Sequence, residues 1–180
     1  MTLANKITLA RIALIPFFVI FATIGGVTCD VIALVLFCVC SFTDFLDGYV
    51  ARKYHQVTDF GKFVDPLADK LLICAAMVIF IDRGLMAGWM VFIILAREFI
   101  ITSLRTIAAM KGTAMAAAWS GKVKTCVQIV GVILIFLCTI VTGAQSLHDA
   151  FLISLCGWVM MAMTLYSGYD YLHRNWNLVA

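Results

Sequence analysis

The chain has 180 residues, of which 64% are hydrophobic and only 13% charged, and its mean hydropathy is +1.05. Soluble domains are about 45–50% apolar and about 25% charged, and a short chain leaves much of its surface wet, which excludes a soluble globular enzyme, a disordered protein and a secreted disulfide scaffold. The net charge of +3 is too small to mark nucleic acid as a partner, and the composition is that of an integral membrane protein.

A helix needs about 20 apolar residues to cross the hydrocarbon. Six stretches qualify in chain order: Thr8–Ile24, Val31–Val50, Phe63–Ile81, Leu85–Ile107, Ala116–Val141 and Phe151–Tyr171. The segments between them are short turn signals, so residues 1–180 read as one six-helix transmembrane domain, all-α, with no second unit. Within the first stretch, Ile12–Ile24 follows Lys6 and Arg11 as the apolar part of a signal peptide would. It runs into Gly25-Gly26-Val27-Thr28-Cys29 rather than a small-x-small cleavage site, so it reads as a retained helix.

Basic residues set the orientation. Lys6, Arg11, Arg52, Lys53, Lys62, Lys111, Lys122, Lys124 and Arg174 fall on one side, and Arg83 stands alone on the other. Both termini are therefore expected in the cytoplasm, and the protein is multi-pass.

The second and third stretches carry charges a bilayer does not tolerate cheaply. Asp44 and Asp47 are three residues apart, and Asp65 and Asp69 four apart, so each pair shares one helix face. A carboxylate at a bilayer centre costs about 2.5–3.5 kcal/mol. With one helix running inward and the next returning, all four sit at similar depth near the cytoplasmic surface. Four like charges gathered there repel one another. Two divalent cations would neutralise them, and a set of oxygen donors without His or Cys suits Mg²⁺ or Mn²⁺. The alternative is four separate helix-end carboxylates facing water or pairing with Arg52, Lys62 and Lys70. Gly48, Ala51 and Gly61 lie within a turn of the aspartates and allow a backbone or a bulky ligand to come close, or equally serve tight helix packing.

Taken together, Asp44-Phe-Leu-Asp47-Gly48-Tyr-Val-Ala51-Arg52, eight further residues and Gly61-Lys-Phe-Val-Asp65-Pro-Leu-Ala-Asp69 resemble the signature of the CDP-alcohol phosphotransferases. The resemblance implies the six-helix bundle of that family, a homodimer, and transfer of a phosphoalcohol from a CDP-linked donor to a hydroxyl with release of CMP. It implies that Asp44, Asp47, Asp65 and Asp69 hold two divalent cations and that Asp65 and Asp69 are catalytic, Asp69 as base on the acceptor hydroxyl. Gly48, Ala51, Arg52 and Gly61 then border the CDP and diphosphate, with Asn5 and Thr8, beside Arg11, as candidates for the cytidine end.

Three further runs resemble the branch of the family that makes phosphatidylglycerophosphate. These are Asn5-Lys6-Ile-Thr8-Leu-Ala-Arg11, Ala96-Arg97-Glu98 through Arg105, and Trp119-Ser-Gly121-Lys122-Val-Lys124-Thr125. That branch implies CDP-diacylglycerol as donor, drawn from membrane lipid, and sn-glycerol 3-phosphate as acceptor. An acceptor bearing phosphate needs cations, and Arg105, Lys122, Lys124 and Arg97 are the candidates. Lys122 and Lys124 are about 200° apart around a helix, so they cannot face one pocket equally, and one of them can instead snorkel to headgroups. Arg97 fits a structural ion pair or a helix anchor as well as an acceptor contact, with Glu98 expected to point elsewhere. Serine, inositol phosphate or phosphatidylglycerol as acceptor keeps the same chemistry. An ion-coupled transporter is the remote alternative, disfavoured by carboxylates at one end of the helices rather than at the midplane.

The seven cysteines lack paired spacing and read as small apolar filler. Asp59, Asp82, Asp149 and Asp170 read as solvated helix ends, and Tyr171 and Trp176 as part of an interfacial aromatic belt.

Overall fold

The computed structural model describes residues 3–53, 59–110, 119–143 and 151–174, and the side chains of 8–43, 70–108, 110, 119–143 and 151–174. They form six helices: α1 (Leu3–Ile24), α2 (Val27–Lys53), α3 (Asp59–Asp82), α4 (Gly88–Met110), α5 (Trp119–Thr142) and α6 (Phe151–Arg174). No strand occurs among the described residues. Each expected stretch falls on one helix, except that residues 85–87 form the turn before α4 and 116–118 lie outside the described residues, and α2 and α3 extend past the apolar runs to carry the motif aspartates on helical backbone.

The connections follow from local chemistry. Gly25 and Gly26 have φ of 70° and 84°, a left-handed conformation that side-chain-bearing residues rarely adopt. The Gly25 amide bonds back to the Phe21 carbonyl at 3.3 Å, and the Asp30 amide to the Gly26 carbonyl at 2.8 Å. The chain thus leaves one helix and enters the next within two residues, which makes α1 and α2 an antiparallel pair.

Four helices contribute to the centre. Phe18 of α1, Phe37 of α2, Phe80 of α3 and Phe136 of α5 are fully buried. Their ring centroids lie 5.8 Å (Phe18–Phe37), 6.1 Å (Phe18–Phe136) and 5.3 Å (Phe80–Phe136) apart, the tilted and edge-on spacing that aromatic quadrupoles favour. Helix α4 packs on α6, and α6 on α5, with Met90 and Ile94 of α4 and Ile153 and Met160 of α6 buried between them.

The outside is as apolar as the inside. Phe17, Ile20, Val35, Phe92, Phe99, Val130, Leu155 and Trp158 are exposed, on five of the six helices. Such a surface has no stable interface with water. Helices α5 and α6 are each long and apolar enough to cross a membrane, while the described apolar parts of α1 and α2, Thr8–Ile24 and Val27–Thr43, are shorter. All seven cysteines are free, as expected of filler.

One charge pairing was not anticipated from the sequence. Arg83, the one basic residue on its side of the bundle in the sequence reading, donates from both terminal nitrogens to Asp30 at 2.6 and 2.8 Å and reaches the Ala22 carbonyl at 3.4 Å. The tight α1–α2 turn brings the first turn of α2 beside the end of α3, where the guanidinium fork meets a buried carboxylate.

Candidate active site

Antiparallel helices put the C-terminal ends of α2, α4 and α6 at the same end of the bundle as the N-terminal ends of α3 and α5. This end, opposite the Arg83–Asp30 pair, gathers the chemistry. Asp44, Asp47, Gly48, Ala51 and Arg52 lie on the last turns of α2, and Gly61, Asp65 and Asp69 on the first turns of α3. Their side chains, and that of Asn5 on α1, fall outside the described residues.

Beside them is a cavity of about 240 Å³ walled by α3, α4, α5 and α6. Its lining includes Arg97, Glu98 and Arg105 from α4, Lys122 and Lys124 from α5, and Tyr171 from α6. Lys70, the residue after Asp69, completes the wall, so the cavity adjoins the turn of α3 that carries that aspartate. The four cations singled out for an acceptor's phosphate therefore meet at one cavity. Five basic side chains face one carboxylate there, a field that concentrates anions.

The cations are held differently. Lys124 is buried and pairs with Glu98 of α4, whereas Lys122 and Arg105 are exposed at the rim. The two lysines do face the cavity unequally, and the long stem of Lys122 still brings it to the lining. Arg97 donates to Ser167 Oγ of α6 at 2.6 Å and to Glu98 Oε1 at 3.3 Å. Glu98 therefore does not point away from its neighbour: it joins two of the cations. Gly168 makes room for this, since a Cβ there would lie 3.2 Å from Arg97 Cγ.

The polar interior continues inward. Thr125 and Lys70 also border a smaller cavity of about 30 Å³ with Gln128, whose buried Nε2 has no partner among the described residues. Thr125 then borders a third, of about 90 Å³, with Arg11, Cys40 and Ser41. Thr8 and Arg11 are both buried on α1. Cys40 stands four residues before Asp44, on the same face of α2, which sets the Arg11 cavity next to that face.

Two residues read as peripheral turn out to be integrated. Asp170 is not a free helix end: it accepts from Ser120 Oγ at 2.5 Å and from Arg174 Nε at 2.6 Å, joining α6 to the start of α5. Tyr171 is buried at the cavity wall rather than exposed in an interfacial belt, and Trp176 lies outside the described residues. Lys70, Glu98 and Tyr171 are the charged and aromatic cavity residues that sequence reasoning did not select. Lys70 carried a signal by directly following the last motif aspartate, and Glu98 by standing beside Arg97 in one of the runs that carry the resemblance. A larger groove of about 350 Å³ between α5 and α6 is lined almost wholly by apolar side chains and offers no group for catalysis.

The sequence profile of the CDP-alcohol phosphatidyltransferase family matches residues 1–168. The chain belongs to that family. Among similar proteins, the CDP-diacylglycerol--glycerol-3-phosphate 3-phosphatidyltransferase of Bacillus subtilis is 43% identical over 186 residues, covering 97% of this chain and 95% of the relative. The Rickettsia bellii protein of the same name is 32% identical, covering 94% and 92%. A probable phosphatidylglycerophosphate synthase of Mycobacterium tuberculosis is 35% identical, covering 96% and 80%. In this family member the aspartate motif and the cationic cavity thus occupy one end of a single bundle.

Proposed function

We propose that this CDP-alcohol phosphatidyltransferase moves the phosphatidyl group of CDP-diacylglycerol to a hydroxyl of sn-glycerol 3-phosphate, releasing CMP, and so makes phosphatidylglycerophosphate for phospholipid synthesis. The observation that carries this reading is the cationic cavity beside the Asp69 turn of α3. An acceptor that brings its own phosphate needs such a cavity, and a serine acceptor would not. The names of the relatives, along nearly the whole chain, support the same donor and acceptor.

Asp44, Asp47, Asp65 and Asp69 form a donor set of carboxylate oxygens at adjoining helix ends, which fits two Mg²⁺ or Mn²⁺ ions. Bound there, the ions would drain charge from the donor's diphosphate and from the departing CMP. The chain's own groups do the rest. Lys124, Lys122, Arg105 and Arg97 receive the acceptor's phosphate and aim its hydroxyl toward the motif. Asp69 takes the hydroxyl proton. The freed oxygen bonds to the phosphorus that carries the diacylglycerol as the anhydride bond to CMP breaks. Gly48, Ala51, Arg52 and Gly61, with Asn5 and Thr8, border the CDP portion.

The same reading makes the chain one domain over residues 1–180 with six membrane spans. Both termini face the cytoplasm of a bacterial plasma membrane, and the family resemblance adds a homodimer. The excess of basic residues at the motif end supports this orientation. CDP-diacylglycerol would enter from the inner leaflet and the polar acceptor from the cytoplasm.

The test is CMP release by detergent-purified protein given CDP-diacylglycerol and Mg²⁺, with glycerol 3-phosphate, serine and inositol phosphate offered in parallel. Release that requires glycerol 3-phosphate is the expected result. Release with serine or inositol phosphate instead would keep the chemistry and replace the acceptor. No release from folded protein would overturn the reading.

A further inference from the structure

Glu98 is the one carboxylate among the described lining of the cationic cavity, and no part of the reaction above uses it. It also borders the smaller inner cavity, so it stands where the two meet. Its Oε1 accepts from Lys124 Nζ, 26 residues away on α5, and from Nη1 of its neighbour Arg97 at 3.3 Å. Its side chain is 14% exposed and that of Lys124 5%.

We propose that Glu98 is a positioning residue of the acceptor site: it fixes the Lys124 ammonium and the Arg97 guanidinium at the places where they meet the acceptor's phosphate. The inference rests on the reading of this cavity as the glycerol 3-phosphate site. Arg97 donates to Ser167 and to Glu98, and Lys124 donates to the same Glu98 oxygen, which sets where both cationic heads sit at the cavity wall. One negative charge against five positive ones leaves the cavity cationic, so Glu98 orients the donors without cancelling their field. A group one layer behind the ligand typically acts in this way, through the residues that touch it.

The experiment measures initial rates of CMP release by the purified full-length protein in mixed micelles, varying glycerol 3-phosphate and CDP-diacylglycerol separately, for wild type, Glu98→Gln and Glu98→Asp. Glu98→Gln is expected to raise KM for glycerol 3-phosphate at least about 10-fold while KM for CDP-diacylglycerol stays within about twofold. Glu98→Asp, which keeps the charge on a stem one methylene shorter, recovers part of the loss. An unchanged or lowered KM for glycerol 3-phosphate would overturn the proposal, the lowered value making Glu98 a competitor of the phosphate. Equal losses toward both substrates with a lowered melting temperature would make it a structural strut and overturn it as well. Should Glu98→Gln not fold, the same KM comparison in Glu98→Asp decides. Wild type without glycerol 3-phosphate-dependent release defeats the functional reading and this inference with it, whereas an active wild type with unchanged variant KM defeats this inference alone.

Discussion

Arg83 grips Asp30 with both arms of its guanidinium, at 2.6 and 2.8 Å, and so ties the turn after α3 to the first turn of α2. The Asp30 side chain is 3% exposed and that of Arg83 16%. Removing one partner of a buried ion pair costs about 3–5 kcal/mol because the other charge is left uncompensated. The asymmetry in exposure ranks the two deletions. Arg83→Ala strands the more deeply buried charge and is expected to lower the melting temperature of the purified protein more than Asp30→Ala, whose orphaned guanidinium can turn toward water. Neither should change KM for glycerol 3-phosphate, since the pair lies at the end of the bundle opposite the cavity. Thermal unfolding in detergent and a substrate titration on each variant check both statements.

The two lysines of α5 offer a second test, because they present the same charge in different surroundings. Lys124 is buried against Glu98, and Lys122 is exposed at the rim. Exposed charges are screened by salt with a Debye length of about 8 Å at physiological ionic strength, while buried ones are screened much less. Lys124→Gln should raise KM for glycerol 3-phosphate about 100-fold, the scale of a lost charge-assisted hydrogen bond of roughly 2–3 kcal/mol. Lys122→Gln should raise it only a few-fold, and that smaller effect should fade as salt is added. Equal, salt-independent effects would refute the assigned difference.

The helix count and the aspartate pairs could be read from sequence because each depends on residues close together along the chain. An apolar run of bilayer length writes its own helix, and carboxylates three or four apart share a face whatever surrounds them. The cavity cations were readable for a related reason: Arg105, Lys122 and Lys124 sit near helix ends that antiparallel packing brings to one side. Arg83–Asp30 and Lys124–Glu98 were not, because their partners are 53 and 26 residues apart and meet only through the rotation of each helix about its axis. Apolar residues all round a membrane helix leave that rotation unmarked. Tyr171 misled for the same cause: an aromatic residue near a helix end reads as interfacial unless its facing helix is known.

Asp65 and Asp69 carry the expectation most directly tied to the chemistry. A positioned general base contributes about 10²–10⁴-fold. Asp69→Asn should therefore lower CMP release by at least that factor, with an unchanged melting temperature and glycerol 3-phosphate still bound at the cationic cavity. Asp65→Asn should lower release as well, and raising Mg²⁺ or Mn²⁺ should recover part of it, as expected of a ligand that contributes to metal affinity. A chelator should abolish wild-type release reversibly, with Mg²⁺ or Mn²⁺ restoring it. Full activity in the presence of chelator would remove the metals from the reaction.

Gly168 tests how Arg97 is placed. A Cβ at that position would come 3.2 Å from Arg97 Cγ, closer than carbon atoms ordinarily pack, and Arg97 has little freedom to retreat because Ser167 and Glu98 both hold its guanidinium. Gly168→Val adds bulk beyond that Cβ and should displace the arginine from α6, with a loss of about 1–3 kcal/mol from overpacking. Ser167→Ala removes only the hydroxyl, and with it a hydrogen bond to a charged group that contributes about 1.5–3 kcal/mol. If Arg97 serves the acceptor's phosphate, both substitutions should raise KM for glycerol 3-phosphate as well as lower stability, and Gly168→Val the more. If it is only a strut between α4 and α6, the melting temperature falls and KM does not move. Measuring both quantities on the same preparations separates the two roles.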